Sequence, residues 1–379
     1  MQKRLLIFAT YSTVLMLGIY ISLYQYTILK FSQLFMLNAA AMGLMIGIQH
    51  AGMAIPPLFL GVLSGKKGKK KVILISYGLM VTGTAIIGLM HCLLIFIASI
   101  FFIGAGFSVM EATLSAVLAD EFSDSSKLHL NFSQVAFSCG ALAGPLIAAS
   151  LLYRGVYFQH LFLCCAAIFL VLGVMFIFTK HQKDKDEAPC QSLCVYITAF
   201  VHNRMLLLLA VSIFLYMGIE NTIANFTDSY FDLTLRTPEL SAVALSFFWG
   251  AMIPSRFLAG IIKMDFRKMF IFLAVLVFFG AITAMLVPDN RMKIVMYALC
   301  GFGCGPLWPL MMDTAAKNRK GSSGPVLNIM FSLGAMGGAL MPIVSGMLVS
   351  AVHETVAYYF CAIVTIVMLA VYLRITKRV

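Results

Sequence analysis

The sequence predicts an all-α membrane protein, with twelve transmembrane helices in two pseudo-symmetric six-helix halves. Three observations carry this. Of 379 residues, 61% are hydrophobic and only 11% charged, against about 25% charged in an ordinary soluble domain. Successive apolar runs each approach the roughly 20 residues that a bilayer core demands of a helix. Stretches of the first half recur in the second at a nearly constant offset.

The N-terminus, MQKRLLIFATYSTVLMLGIYISLYQY, has the look of a signal peptide. Its apolar run is too long and no small-residue cleavage site follows, so 5–29 is read as the first spanning helix. Further spans are placed at 36–64, 72–91, 93–119, 128–152 and 157–179. The polar stretch KHQKDKDEAPCQ at 180–191 then interrupts the pattern. Six more spans follow at 206–230, 239–262, 268–287, 292–314, 323–350 and 355–374. The expected organisation is an N-terminal bundle over 1–179, a cytoplasmic linker over 180–205 and a C-terminal bundle over 206–379.

Loop charge sets the orientation. On the side shared by both termini fall 22 of the 27 basic residues, among them the five lysines of GKKGKKK. The opposite side holds only Lys30, Arg154, Arg236, Arg291 and Lys293. Both termini are therefore expected in the cytoplasm, with the chain crossing the inner or plasma membrane many times. The net charge of +12 is explained by these loops, and no aromatic nucleic-acid motif or zinc spacing accompanies it. Most of the nine cysteines sit inside apolar runs and read as small buried hydrophobes. Cys190 and Cys194 lie in the linker with no histidine cluster, so neither metal nor cofactor is expected.

Four pairs of segments relate the halves. GIYISLYQYT at 18–27 matches GIENTIANFT at 218–227, and GMAIPPLFL at 52–60 matches GAMIPSRFL at 250–258. GAGFSVME at 104–111 matches GFGCGPLW at 301–308, and FSCGALAG at 137–144 matches FSLGAMGG at 331–338. They pair helix one with seven, two with eight, four with ten and five with eleven, as a parallel two-half repeat does.

A charge at the bilayer centre costs at least about 2.5–3.5 kcal/mol, so an intramembrane acid must face protein or a water cavity. Glu111 and Glu220 lie well inside spans and are the candidate proton-coupling groups. Gly104, Ser108, Glu111 and Ser115 fall on one small, polar helical face. Glu111 is either a structural carboxyl bonded to a neighbouring helix or a proton or substrate site. Candidate solute contacts are Tyr24, Gln25 and Tyr26 in the first helix and Gln49 in the second. Asn131 and Gln134 in the fifth, Asn221 and Asn225 in the seventh, Trp308 in the tenth and Asn328 in the eleventh complete the set. The alternative for each is helix–helix hydrogen bonding or core packing. His50 reads as a bonded interior histidine more readily than as a proton relay. Pro306 and Pro309, flanking Trp308, are expected to bend the tenth helix and free backbone carbonyls toward the cavity. Lys66 and Lys67 in the loop after the second helix, with Arg256 and Asp313, are candidate gating groups.

GVLSGKKGKKKV at 61–72 resembles the signature loop of the major facilitator superfamily, G-x-x-x-D-R-x-G-R-K. Gly61, Gly68, Lys69 and Lys70 fit, while Gly65 stands in place of the aspartate and Lys66 in place of the arginine. A narrower similarity is to the fucose–proton symporter branch. IGIQHAGMAIPPLFLGVLSGKK, GAGFSVMEA, LNFSQ with GALAGP, and YMGIE resemble its second, fourth, fifth and seventh helices. The resemblance implies the major facilitator fold, a proton and sugar site at Glu111 and a sugar contact at Gln134. It departs at the branch's first-helix aspartate, where Gln25 or Tyr26 stands, and at the asparagine–proline after the glutamate, where the chain reads EATLSAV.

The expected function is secondary active transport by alternating access: proton-coupled uptake of a small polar solute such as a sugar, by a monomer. Proton-driven efflux of an amphipathic or cationic compound is the alternative, favoured by the adaptable apolar walls that 25 Met and 31 Phe can build. A transport-dead receptor is a third reading. No nucleophile–base pair or phosphate-cradling loop suggests an enzyme.

Overall fold

The computed structural model describes residues 2–59, 68–89, 92–122, 126–179, 202–262, 264–317 and 323–376. Twelve helices among them are long and apolar enough to cross a membrane. They are α1 (Gln2–Leu34), α2 (Ala39–Ala54, ending in a 3₁₀ turn at Pro56–Phe59), α3 (Lys69–Leu89), α4 (Leu93–Glu121), α5 (Ser126–Tyr153) and α6 (Phe158–Ile177). The second set is α7 (Arg204–Ser229, extended by a π turn over Tyr230–Thr234), α8 (Pro238–Ile261), α9 (Phe266–Leu286), α10, α11 (Ser323–Ala351) and α12 (Val356–Thr376). Two segments make α10, Asn290–Cys304 and Leu307–Lys317.

The ends follow from local chemistry. Side-chain oxygens of Asn38, Asn203, Asp265 and Asp289 accept from first-turn N–H groups and so start α2, α7, α9 and α10. Pro238 opens α8 at a position where its missing N–H costs nothing. Gly155, at φ +80, supplies the left-handed turn after α5.

The packing repeats. In the first set α1 lies along α5, α2 along α4, and α3 between α4 and α6. In the second, α7 lies along α11, α8 along α10, and α9 between α10 and α12. Two seams join the sets, α2 with α11 and α5 with α8, and the same rotation exchanges them. Hydrocarbon gives helices no hydrophobic reason to associate, so close contact between small residues must do it. A Cβ on Gly140 would lie 2.0 Å from the Leu15 carbonyl oxygen, and one on Gly337 would lie 1.9 Å from that of Phe214. Only glycine lets α5 and α11 reach the backbones of α1 and α7. The glycine run of α5 is thus a packing device, as its spacing allows.

Around the rim, α6 exposes Leu170, Val171 and Val174, α9 exposes Phe272 and Phe279, and α12 exposes Ile363 and Ile366. Apolar side chains on an outer surface are what a lipid environment selects. The exposed Cys92, Cys139 and Cys164 belong to that surface, while Cys165, Cys300, Cys304 and Cys361 are buried.

Candidate functional site

A cavity lies between the two sets of helices, with walls drawn from α1, α2, α4, α5, α7, α8, α10 and α11. None of its lining comes from α3, α6, α9 or α12. Phe107 and Glu111 face it from successive turns of α4. Gln134 and Phe137 do so from α5, and Tyr216, Met217, Glu220 and Asn221 from α7. Repeat-related positions meet there: Ile21 with Asn221, Phe137 with Phe331, and Glu111 with Trp308.

The polar stripe on α4 divides. Gly104 turns toward α2, where a Cβ would sit 2.1 Å from the Gln49 carbonyl oxygen. Ser108 is buried and bonds its own helix at Ala105. Of that face only Glu111 lines the cavity, and Gly104 is taken up by close packing on α2.

Two carboxyls and one guanidinium set the charge. The Gln134 side chain lies beside Glu111, and Arg256 is near enough to act on both Glu111 and Glu220. The Tyr216 hydroxyl, one turn earlier, donates to Glu220 Oε2. Arg256 is held by the break in α10. A proline at 306 removes the N–H that would bond the Phe302 carbonyl, and one at 309 removes the partner of the Gly305 carbonyl. Neighbouring donors on α8 take their place: Ser255 Oγ donates to Phe302 O, and Arg256 Nε donates to Gly305 O at 2.9 Å. Arg256 Nη1 also donates to Ser138 Oγ at 2.5 Å, spanning the α5–α8 seam. The carbonyls are freed as expected, but they bond donors on α8 and do not line the cavity.

Aromatic faces make up the remaining wall. Both tryptophans of the chain line it. Trp308 meets Phe331 edge-on at 5.6 Å between centroids, and Trp249 meets Phe137 edge-on at 6.1 Å. Trp249 Nε1–H donates to Gln25 Oε1 at 3.0 Å, tying α8 to α1.

At the end of the bundle away from the termini the halves meet. Lys30 Nζ on α1 lies 3.6 Å from Asp228 Oδ2 on α7, and Ser241 Oγ on α8 donates to Asp228 Oδ1 at 2.6 Å. Asp228 is only 2% exposed. A further acid, buried like Glu220, thus exists beside the two read from the sequence. It lies in the last turn of α7, inside the 206–230 span, and a π turn prolongs the helix beyond it to Thr234.

Of the sequence candidates, Glu111, Glu220, Gln134, Asn221, Trp308 and Arg256 come together at the cavity. Others are buried against neighbouring helices: Gln49 Nε2 donates to the Tyr20 hydroxyl at 3.0 Å, and Asn225 Nδ2 to the Asn221 carbonyl at 2.8 Å. Tyr24 is fully buried, Tyr26 lies beneath Lys30, and Asn328 is half-buried outside the lining. Asp313 is exposed on the second segment of α10. Lys66, Lys67 and the Asn131 side chain lie outside the described residues. Trp249 and the cavity role of His50 escaped the sequence reading. Trp249 gave one signal, being one of only two tryptophans. Among the described residues no group of three or more His, Cys, Asp or Glu is placed to hold a metal.

Residues 5–335, and again 263–379, match the family profile of the Major Facilitator Superfamily. The chain is 23% identical over 256 residues to a glucose/mannose transporter, GlcP, of Bacillus subtilis (strain 168), a match covering 65% of this chain and 63% of that relative's length. It is 22% identical over 290 residues to a glucose/galactose transporter of Brucella abortus biovar 1 (strain 9-941), covering 70% and 67%. Its fold is similar to a variant of the E. coli fucose:proton symporter FucP, with TM-score 0.71, 17% identity and 98% of each chain covered. A variant of the nucleoside transporter NupG superposes with TM-score 0.80 at 13% identity, over 99% of this chain and 100% of that one.

Proposed function

The chain belongs to the Major Facilitator Superfamily, and on that premise we propose that it takes up a sugar-like polar solute together with protons by alternating access. One observation carries the reading. The cavity between the repeats combines a titratable acid, Glu111, with the amides of Gln134 and Asn221 and the flat faces of Trp249 and Trp308. Amides and carboxyls match hydroxyls, and indole faces match the apolar face of a sugar ring. The printed names of the two sequence relatives, both sugar transporters, support the same solute class.

In this proposal residues 1–179 and 206–379 are the rocking bodies and 180–205 links them. Loop charge places both termini in the cytoplasm of a cell whose inner or plasma membrane holds the protein as a monomer. The Lys30–Asp228 pair then lies at the outer mouth and ties the halves together there. Lys66, Lys67, Arg256 and Asp313 take the gating roles on the inner side.

Purified protein in proteoliposomes tests this, with labelled hexoses and nucleosides and an imposed proton gradient. A hexose should accumulate only with the gradient. Glu111→Gln should lower that accumulation by about a hundredfold while exchange of labelled for unlabelled solute, which moves no net proton, falls by less than about tenfold. Wild-type accumulation by Glu111→Gln would remove the coupling role. Raised tolerance to cationic drugs on expression, without hexose uptake, would support efflux instead.

A further inference from the structure

His50 does not fit the role of a neutral, merely buried side chain. It is 3% exposed, lines the cavity, and crosses from α2 in the first half to α7 in the second. Its Nδ1 lies 3.0 Å from the Ile46 carbonyl oxygen, and its Nε2 lies 3.0 Å from Asn221 Oδ1. A carbonyl oxygen can only accept. The orientation of the Asn221 amide is fixed by its other contact, because Nδ2 donates to the Met217 carbonyl at 2.9 Å. Turning that amide over would set oxygen against oxygen. Both ring nitrogens therefore face acceptors. A neutral imidazole has one N–H, and only the imidazolium has two.

We infer that His50 is a second proton-binding site of the cavity, held as an imidazolium with one N–H bonded back onto α2 and the other joining α2 to α7. Other titratable groups face the same cavity. Glu111 faces the cavity from α4, Glu220 and Tyr216 from α7, and Arg256 from α8. Tyr20 of α1 is engaged by the neighbouring Gln49, and α11 has no titratable residue along its length. Room for the pair is reserved on α11: a Cβ on Gly338 would lie 2.6 Å from His50 Cδ2 and 3.1 Å from Asn221 Nδ2.

Loss of the proton removes one of the two donors. The bond to Ile46 lies within one helix turn, so the contact given up is the one to Asn221, and α2 loses its hydrogen bond to α7. Its consequence for coupling rests on the transport reading above; the protonation itself does not. Solid-state NMR of the full chain in lipid, labelled with ¹⁵N-histidine, tests the protonation without solute or gradient. Among the seven histidines, the signal missing from His50→Gln should show two protonated ring nitrogens at pH 7.5. Asn221→Leu, which removes the acceptor, should convert that signal to the singly protonated form. A bare nitrogen on His50 in the wild type, or a signal indifferent to Asn221→Leu, would overturn the inference. In proteoliposomes His50→Gln should lower gradient-driven accumulation at least tenfold more than exchange; equal losses would refute the coupling consequence.

Discussion

Two stretches built on one repeat end differently. IPPLFL follows α2, and IPSRFL closes α8 at the corresponding place; GAGFSVME in α4 corresponds to GFGCGPLW in α10. In the first half α4 runs unbroken and presents a carboxyl, and its neighbour offers Pro57 and Leu58, which carry no side-chain donor. In the second half α10 is broken by prolines and presents an indole, and the neighbour offers Ser255 and Arg256 to the freed carbonyls. The scaffold is shared. One half contributes a titratable group on a regular helix, and the other contributes a rigid aromatic wall on an irregular one, with the donors that such irregularity requires inside a membrane.

The contrast breaks hardest at Arg256. Arg256→Leu leaves the Gly305 carbonyl without its donor and removes the guanidinium that faces Glu111 and Glu220. Gradient-driven accumulation should fall by about a thousandfold, roughly 4 kcal/mol, with a lower thermal midpoint for the purified protein. Arg256→Lys, keeping the charge but losing the planar fork, should recover only part of it. Normal transport by the leucine variant would dismiss both roles. A smaller effect belongs to Trp308. If it is the stacking wall, Trp308→Leu should raise the apparent KM about tenfold, near 1.4 kcal/mol, and Trp308→Phe should raise it less; an unchanged KM would make it a packing residue. The finest test compares Ser255→Ala alone with Ser255→Ala in a Pro306→Ala background. The single change should cost about 1 kcal/mol. In the second background it should cost almost nothing, because residue 306 regains the N–H that bonds Phe302. Additive costs in this cycle would deny the repair.

Most of the fold was legible because the signals for it are local. Apolar run length marks the spans within a few residues, and Pro306 with Pro309 marks the break in α10. Glu111 was legible as an acid in an apolar run, and the structure sets it at the cavity. What the sequence concealed depends on contacts between distant positions. His50 meets Asn221 across 171 residues, Trp249 meets Gln25 across 224, and Arg256 meets Gly305 across 49. Nothing in the neighbourhood of any of these residues announces its partner. Asp228 was hidden for another reason. The sequence placed a helix end where a π turn continues, and an acid at a helix end is ordinary where a buried one is not.

The broken helix also constrains how this chain was able to change. A proline arriving at 306 or 309 before its donor would have left a carbonyl unbonded in the bundle, at a cost of several kcal/mol. A serine arriving first on α8 could bond its own helix, and an arginine at 256 could turn its head to the cavity it lines, each at less expense. Mutational order was therefore not free: the donors had to precede the prolines. In today's protein the prolines have become ratchets that make Ser255 and Arg256 difficult to give back.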